Sequence, residues 1–417
     1  MKISVLLPTR DRLDLLRHAV ASIVRLEDPD YEIVISDNCS SGDVEGYVAS
    51  LGDVRVRYVR TPEVLSVTEN WNNALAHSTG EYVLMLGDDD ALLDGYFTRT
   101  RRLLAEFDHP QVIYHSALLY SYPGVTPGMP EGQLRPYGYA PFLRSADRPL
   151  RVPTKEARRL VRQAVNFRFS YGLNIQFVTV SRGIVEELAG DGDFFHPPFP
   201  DYYAMNHLFA RADSIVAEPH PLVVMGISTR SHGFYCANNR EMEGKAFLEG
   251  TGKWIEKPGQ SQLLPGTNMN SGSLRTFEEL HRQLGSPAEL APNYRRYRML
   301  QILHVYEGHH LRGTIDSEQM AELETSMSRW ERLRYGLLFA LLSGAARGLP
   351  ARARTQVPRV LTLIKREVPW WQSVPDGGRY RDISEVVQRI QGADDPARWE
   401  TERGSRLGDW ILARVFP

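Results

Sequence analysis

Over its first 120 residues the chain alternates short β-rich runs with amphipathic helical patterns, and few architectures accept that order. Ile3–Leu7 is a β-rich run, and Arg12–Arg25 repeats apolar residues at Leu13, Leu16, Val20 and Ile23. Tyr31–Ile35 reads as a second strand and Val54–Val59 as a third, alternating through Val54, Val56 and Tyr58. Val67–Ala76 reads as helix, Tyr82–Leu86 as strand, Tyr96–Phe107 as helix and Val112–Tyr120 as strand. Strands alternating with helices predict right-handed βαβ units, an α/β class and a mostly parallel sheet flanked by helices. The first strand runs into Pro8-Thr9-Arg10-Asp11 with no Gly-x-Gly-x-x-Gly, which disfavours a dinucleotide enzyme.

A chain of 417 residues has room for two or three domains and a large core. Its net charge of −2 gives no whole-chain case for nucleic acid as a partner. Cys39 and Cys236 are the only cysteines, so a disulfide framework is not expected and a reducing, cytoplasmic setting fits. The N-terminus enters a strand pattern directly, without an apolar signal region, and no apolar run reaches the roughly 20 residues that span a bilayer. Residues 121–153 form a Pro/Gly-rich insertion that carries Tyr122, Tyr137, Tyr139 and Phe142, a binding element or a plain surface excursion. Helix resumes at Thr154–Phe167, Gly172–Val180 reads as strand and Ile184–Ala189 as helix. Gly250–Gly272 is loop-like, and from about Leu274 the pattern is helical. The expected organisation is therefore a catalytic domain at 1–235, a connecting region at 236–275 and a helical C-terminal extension at 276–417.

Two acidic features stand out. The strand Tyr82–Leu86 runs through Gly87 into Asp88, Asp89 and Asp90. Three adjacent like charges at the end of a core strand call for a counter-charge, and a hard divalent ion such as Mg²⁺ or Mn²⁺ supplies one while bridging to a phosphate-bearing substrate. In open α/β sheets ligands sit beyond the carboxyl ends of strands, where this triplet falls. The plain alternative is a solvated turn with Asp90 or Asp94 as a helix N-cap. Asp37 closes the second strand, where a carboxylate can accept from a bound base or ribose, or simply close an Asx-turn.

Ser4–Arg10, Ile33–Ser41, Asn72–Tyr82 and Leu86–Asp90, in this order and spacing, resemble the family-two inverting glycosyltransferases, which have the GT-A fold. A weaker likeness continues to about residue 235. The resemblance implies a nucleotide-sugar donor, most often a UDP-sugar, and a Mn²⁺ or Mg²⁺ cofactor. It implies donor contacts from Pro8, Thr9 and Arg10, with Thr9 and Asp37 at the uridine. Asn72 matches a family asparagine on the helix before the acidic strand; the preceding position, commonly basic, is Trp71 here. Asp89 matches the metal-binding acid, and the family's first acid falls on Gly87, leaving Asp88 for its ribose or metal contact and Asp90 as a further metal-side acid.

Inverting transfer also needs a general base on the face opposite the leaving diphosphate, hence remote in sequence from the triplet. Asp201, in Phe199-Pro-Asp-Tyr-Tyr, matches the family's acid before an aromatic-rich helix; alternatively it caps that helix. Asp191 and Asp193 compete for the role. His232, near Arg230, is a candidate metal ligand or an ordinary surface or core histidine, and Arg230 a candidate partner for diphosphate oxygens. The acceptor would be a glycan or lipid-linked glycan. Sugar transfer to modified DNA bases, or nucleotide-sugar binding without turnover, are the rival functions.

Trp330–Ala346 is apolar, too short to span a membrane, and surrounded by basic residues, with Trp370 and Trp371 following. That composition suits peripheral contact with an anionic membrane face, or packing on the catalytic domain or another subunit.

Overall fold

Continuous apolar runs mark the strands at the centre of the sheet, because strands covered on both faces cannot alternate. Ile3–Thr9 (β1) and Tyr31–Asp37 (β2) are buried at every position. The computed structural model describes residues 1–126, 129–137, 141–143, 146–169, 174–237, 244, 246–248, 263–348 and 378–391. They divide into two units: one with residues up to 161, 174–248 and 378–391, the other with 162–169 and 263–348.

In the first unit the order continues α1 (Leu13–Val24), α2 (Val44–Leu51), β3 (Val56–Arg60), α3 (Val67–Ala76), β4 (Tyr82–Met85), β5 (Ala91–Leu92), α4 (Tyr96–Glu106) and β6 (Val112–Ser121). Then come β7 (Gln133–Pro136), β8 (Leu150–Val152), α5 (Thr154–Val165, which runs on into the second unit's residues), β9 (Val178–Ser181), α6 (Arg182–Ala189), α7 (Pro200–Arg211), β10 (Ile215–Ile227) and α8 (His232–Ala237). The helix starts are set locally. Asp43 caps α2, and Ser66 with Glu69 forms a reciprocal capping box on α3.

One ten-stranded sheet results, in the order β3-β2-β1-β4-β9-β6-β10-β5, with β7 on β6 and β8 on β10. The pairs β2/β3, β1/β2, β1/β4 and β6/β10 are parallel. β9 runs antiparallel to both β4 and β6, so these two share a direction and the six strands β3, β2, β1, β4, β6 and β10 point the same way. The mostly parallel sheet is as expected, with β9 and three short strands as its antiparallel members. Two of those, β7 and β8, lie in the 121–153 insertion, which therefore extends the sheet. The third strand starts at Val56, and Val54 is fully exposed. Of the expected strand at 172–180, Ile175–Phe177 is a 3-10 turn and only Val178 onward pairs; residues 172 and 173 lie outside the described residues, as does Tyr139.

The second unit is helical. It holds α9 (Asn268–Gln283), α10 (Tyr294–Glu307), α11 (Ser317–Thr325) and α12 (Arg329–Gly348). Its core joins Ile302, Leu303 and Tyr306 of α10 to Met320 and Leu323 of α11 and to Tyr335 and Phe339 of α12. No helix among the described residues is long and apolar enough to cross a membrane.

The late helix Ile383–Gln391 falls in the first unit, although the sequence pattern groups it with the C-terminal extension. It buries Ile383, Val386 and Val387, and Ser384 shares a 2.7 Å hydrogen bond with His18 of α1. Just before it, Tyr380 exchanges backbone hydrogen bonds with Gly132. Trp370 and Trp371 lie outside the described residues.

Candidate active site

The register of β1 against β4 builds the site. Leu6 pairs with Met85, so three residues further on Thr9 and Asp88 come level at the carboxyl ends of the two strands. Thr9 Oγ1 donates to Asp88 Oδ2 at 2.7 Å. Arg12 Nη1 donates to Asp88 Oδ1 at 2.9 Å and lies 3.9 Å from Asp89 Oδ2. Its Nη2 donates to the Arg230 carbonyl at 2.5 Å, and the guanidinium lies over the Phe247 ring at 5.0 Å. Burial works against the Arg12 charge, but Asp88 and Asp89 hold it ionised above the usual arginine range. The sequence pattern places Arg12 only at the start of a helix. Its position at the N-cap of α1, three residues past the strand-end Thr9, is the available signal.

The three acids do different things. Burial, then the charge of Asp89, raises the Asp88 carboxyl above its ordinary value against the pull of Arg12 and Thr9. Ser231 donates its hydroxyl to Asp89 Oδ2, and Tyr122 OH donates to the Asp89 carbonyl at 3.2 Å. Asp90 was expected among the metal ligands. Instead its Oδ2 accepts the Gly87 N–H at 2.7 Å and its Oδ1 the Gly226 N–H at 2.8 Å. Those bonds make it the pin that folds the triplet back on β10, and burial with the neighbouring Asp89 charge raises its carboxyl well above the usual range.

Backbone closeness requires glycine at 226, whereas a Cβ at 87 would meet side chains, first Gln176 Nε2 at 2.7 Å. A Cβ on Gly87 would stand 2.8 Å from Asp90 Oδ2, and one on Gly226 only 1.8 Å from the Asp89 carbonyl oxygen.

Two other predicted donor contacts have protein partners. The Asp37 carboxylate is fully buried and accepts from the Ser40 N–H, from Tyr58 OH at 2.8 Å and from Arg60 at 2.9 Å. The carboxylate thereby orients Tyr58 and Arg60 at the β2 end of the sheet. Asn72 clasps Phe195, donating to its carbonyl and accepting its N–H, each at 3.0 Å. Trp71 packs edge-on to the same Phe195 ring at 5.3 Å. The helix α3 thereby grips the loop that leads into α7, with the Asn72 amide joined at both ends to the Phe195 backbone. Pro8 is a buried β1 residue in register with Ser36.

Exposed cations gather around the β1–α1 turn. Arg10 Nε lies 3.8 Å from Asp11, Arg230 donates to the Asp11 carbonyl at 3.0 Å, and Arg60 is close enough for its charge to lower the Asp11 carboxyl. An arginine rim over buried acids suits a phosphate-bearing ligand.

Asp201 stands apart from the triplet. The helix α7 begins at Pro200, so Asp201 lies within its first turn rather than capping it. Burial pushes its carboxyl up to about 7, against the pull of the Tyr202 and Asp201 backbone. Asp191 and Asp193 are exposed by contrast. The charges of both Asp201 and Asp90 act on the Tyr137 hydroxyl. His232 begins α8 next to Ser231, with its ring 5.4 Å from Phe199. Burial lowers it to about 4, so the imidazole is neutral at physiological pH. Among the described residues, no three His, Cys, Asp or Glu side chains gather closely enough to hold a metal by themselves.

Residues 4–168 match the family model described as glycosyl transferase family 2. Over 97 residues the chain is 39% identical to the GalNAc(5)-diNAcBac-PP-undecaprenol beta-1,3-glucosyltransferase of Campylobacter jejuni, an alignment covering 22% of this chain and 31% of that protein. It is 29% identical over 121 residues to the putative colanic acid biosynthesis glycosyl transferase WcaA of Escherichia coli, covering 28% of this chain and 41% of WcaA. The chain thus spans less than half the length of these relatives. Among solved structures, residues 1–349 of S. aureus TarS in complex with UDP-GlcNAc align with a TM-score of 0.48 at 11% identity, over 88% of each chain.

Proposed function

We propose, from the membership of residues 4–168 in glycosyl transferase family 2, that this chain moves a sugar from a UDP-sugar to a hydroxyl of a lipid-linked glycan, with inversion. The observation that carries this reading is Asp201: a buried carboxyl with its pKa raised to about 7, outside the strand-end triplet, whose charge and that of Asp90 both act on the Tyr137 hydroxyl. The C. jejuni relative, by its name, acts on a PP-undecaprenol-linked glycan, which supports a lipid-linked acceptor.

In this reading the diphosphate lies against Arg10, Arg60 and Arg230, and the nucleoside points toward the β2 end, where Asp37 orients Tyr58 and Arg60. Arg12 holds Asp88 in place behind them. Asp201 takes the proton of the acceptor hydroxyl as it attacks the anomeric carbon from the face away from the diphosphate. A base with a pKa near the working pH combines a useful ionised fraction with real proton affinity.

Asp89 fits a divalent cation shared with substrate, since Mg²⁺-type sites often take one or two carboxylates and complete their shell with phosphate and water. His232, kept neutral, is in the form that ligates metal. A cation held there would neutralise charge on the departing diphosphate.

Calorimetric titration with UDP, with and without Mn²⁺, tests the site. Asp89→Asn should abolish the Mn²⁺-dependent part of UDP affinity. Unchanged affinity and unchanged Mn²⁺ dependence would remove Asp89 from the donor site.

The Asn72 clasp gives a second check. Asn72→Ala leaves a backbone N–H and carbonyl of Phe195 without their partner, a loss of about 1–3 kcal/mol. Transfer should slow while UDP affinity holds, because the loop positions Asp201 and not the donor. A weaker UDP affinity with normal turnover would return Asn72 to the donor site.

A further inference from the structure

The outer face of α12 goes beyond the transferase reading. Tyr335 and Phe339 sit in the second unit's core, with Leu338 and Leu342 packed against it. Trp330, Leu333, Leu337 and Leu341 recur every three or four residues and so line the other side of the helix. They are 79%, 53%, 58% and 72% exposed. Isolated apolar residues at a surface need no explanation, but an aligned row of four does.

The charges beside the row say what it meets. Arg329, Arg332 and Arg334 are exposed and have no carboxylate partner among the described residues. Glu331, the acid in the first turn of α12, is held by Arg298 at 2.7 and 2.9 Å. In the sequence, Arg332 to Arg366 contains eight Lys or Arg and no Asp or Glu. An isologous pairing of two copies through this face would set the same arginines against each other with no acid to answer them.

We propose that this face of α12 docks on an anionic lipid surface. Trp330, Leu333, Leu337 and Leu341 enter the boundary between headgroups and acyl chains, and the arginines meet lipid phosphates. The helix lies in the plane of the interface.

The test is co-sedimentation of the full chain with phosphatidylcholine vesicles, with and without phosphatidylglycerol. Binding should require phosphatidylglycerol and weaken with added NaCl. The triple variant Arg329→Gln, Arg332→Gln, Arg334→Gln should weaken it on the order of a hundredfold. Leu337→Ser with Leu341→Ser should weaken it at every salt concentration. All these side chains are exposed, so circular dichroism and melting should match wild type.

Wild type that ignores phosphatidylglycerol vesicles at low salt overturns the proposal, and so do variants that bind like wild type. Ridge variants that split a dimer and leave vesicle binding unchanged would assign the face to a second copy. UDP affinity measured without vesicles reads the transferase proposal separately.

Discussion

With Asp201 as the proposed general base, Asp201→Asn should slow sugar transfer by roughly 10²–10⁴ while UDP affinity stays near wild type. The amide keeps the shape of the carboxyl and cannot accept the acceptor's proton. The pH profile carries the same signature. In wild type the rate should rise as pH passes through about 7, where the Asp201 carboxyl ionises; in the variant that limb should vanish.

Stability moves the opposite way. The folded pKa lies above the ordinary aspartate value, so the native state binds more protons than the unfolded state between them. The Asp201 contribution therefore falls as pH rises from about 4 to about 7. Asp201→Asn, which cannot charge, should melt no lower than wild type at pH 8. Near-normal turnover, or a pH limb that survives the substitution, would pass the base role to another group.

Arg12→Met should be the most destabilising single change in the site. It removes the cation that pairs with Asp88 and neighbours Asp89, and leaves their charges buried and unanswered. Breaking a buried pair in this way costs about 3–5 kcal/mol. Urea unfolding should show that loss at neutral pH and a smaller one in acid. The Asp88 carboxyl, already raised, rises further without Arg12, and a raised carboxyl loses stability as pH increases above its unfolded value. Arg12→Lys keeps the charge but not the fork that reaches both Asp88 and the Arg230 carbonyl, so it should recover part of the stability. If Arg12→Met unfolds like wild type at neutral pH, the triplet is balanced by something other than Arg12.

The strand ends that carry the candidate site were legible in the sequence because they depend on local pattern. Apolar runs at 3–7, 31–35 and 82–86 gave β1, β2 and β4, and the parallel arrangement brought Thr9, Asp37 and the triplet to one edge. Asp201 was legible as an acid ahead of an aromatic helix, since Pro200 starts α7 there. The partners of these residues were not legible. Asp90 reads like a metal ligand until Gly226, 136 residues away, claims one of its oxygens. The Asn72 amide is joined at both ends to Phe195, 123 residues on, which no local pattern announces.

Arg12 shows the same limit. Its spacing with Leu13 and Leu16 assigns it to a helix start, and only the β1/β4 register turns it onto Asp88, while the Arg230 carbonyl arrives from 218 residues away. On α12 the apolar residues announce a helix without saying which face is covered, because Tyr335 and Leu337 look alike by composition. The sequence alone determined which segments are strands and helices and which end of the sheet carries the acids, since hydrophobic period and capping act over a few residues. The tertiary structure decided which of those acids hold the backbone together, which cation answers them and which apolar face stays uncovered. Hydrogen bonds and ion pairs join groups that only folding brings within 3 Å.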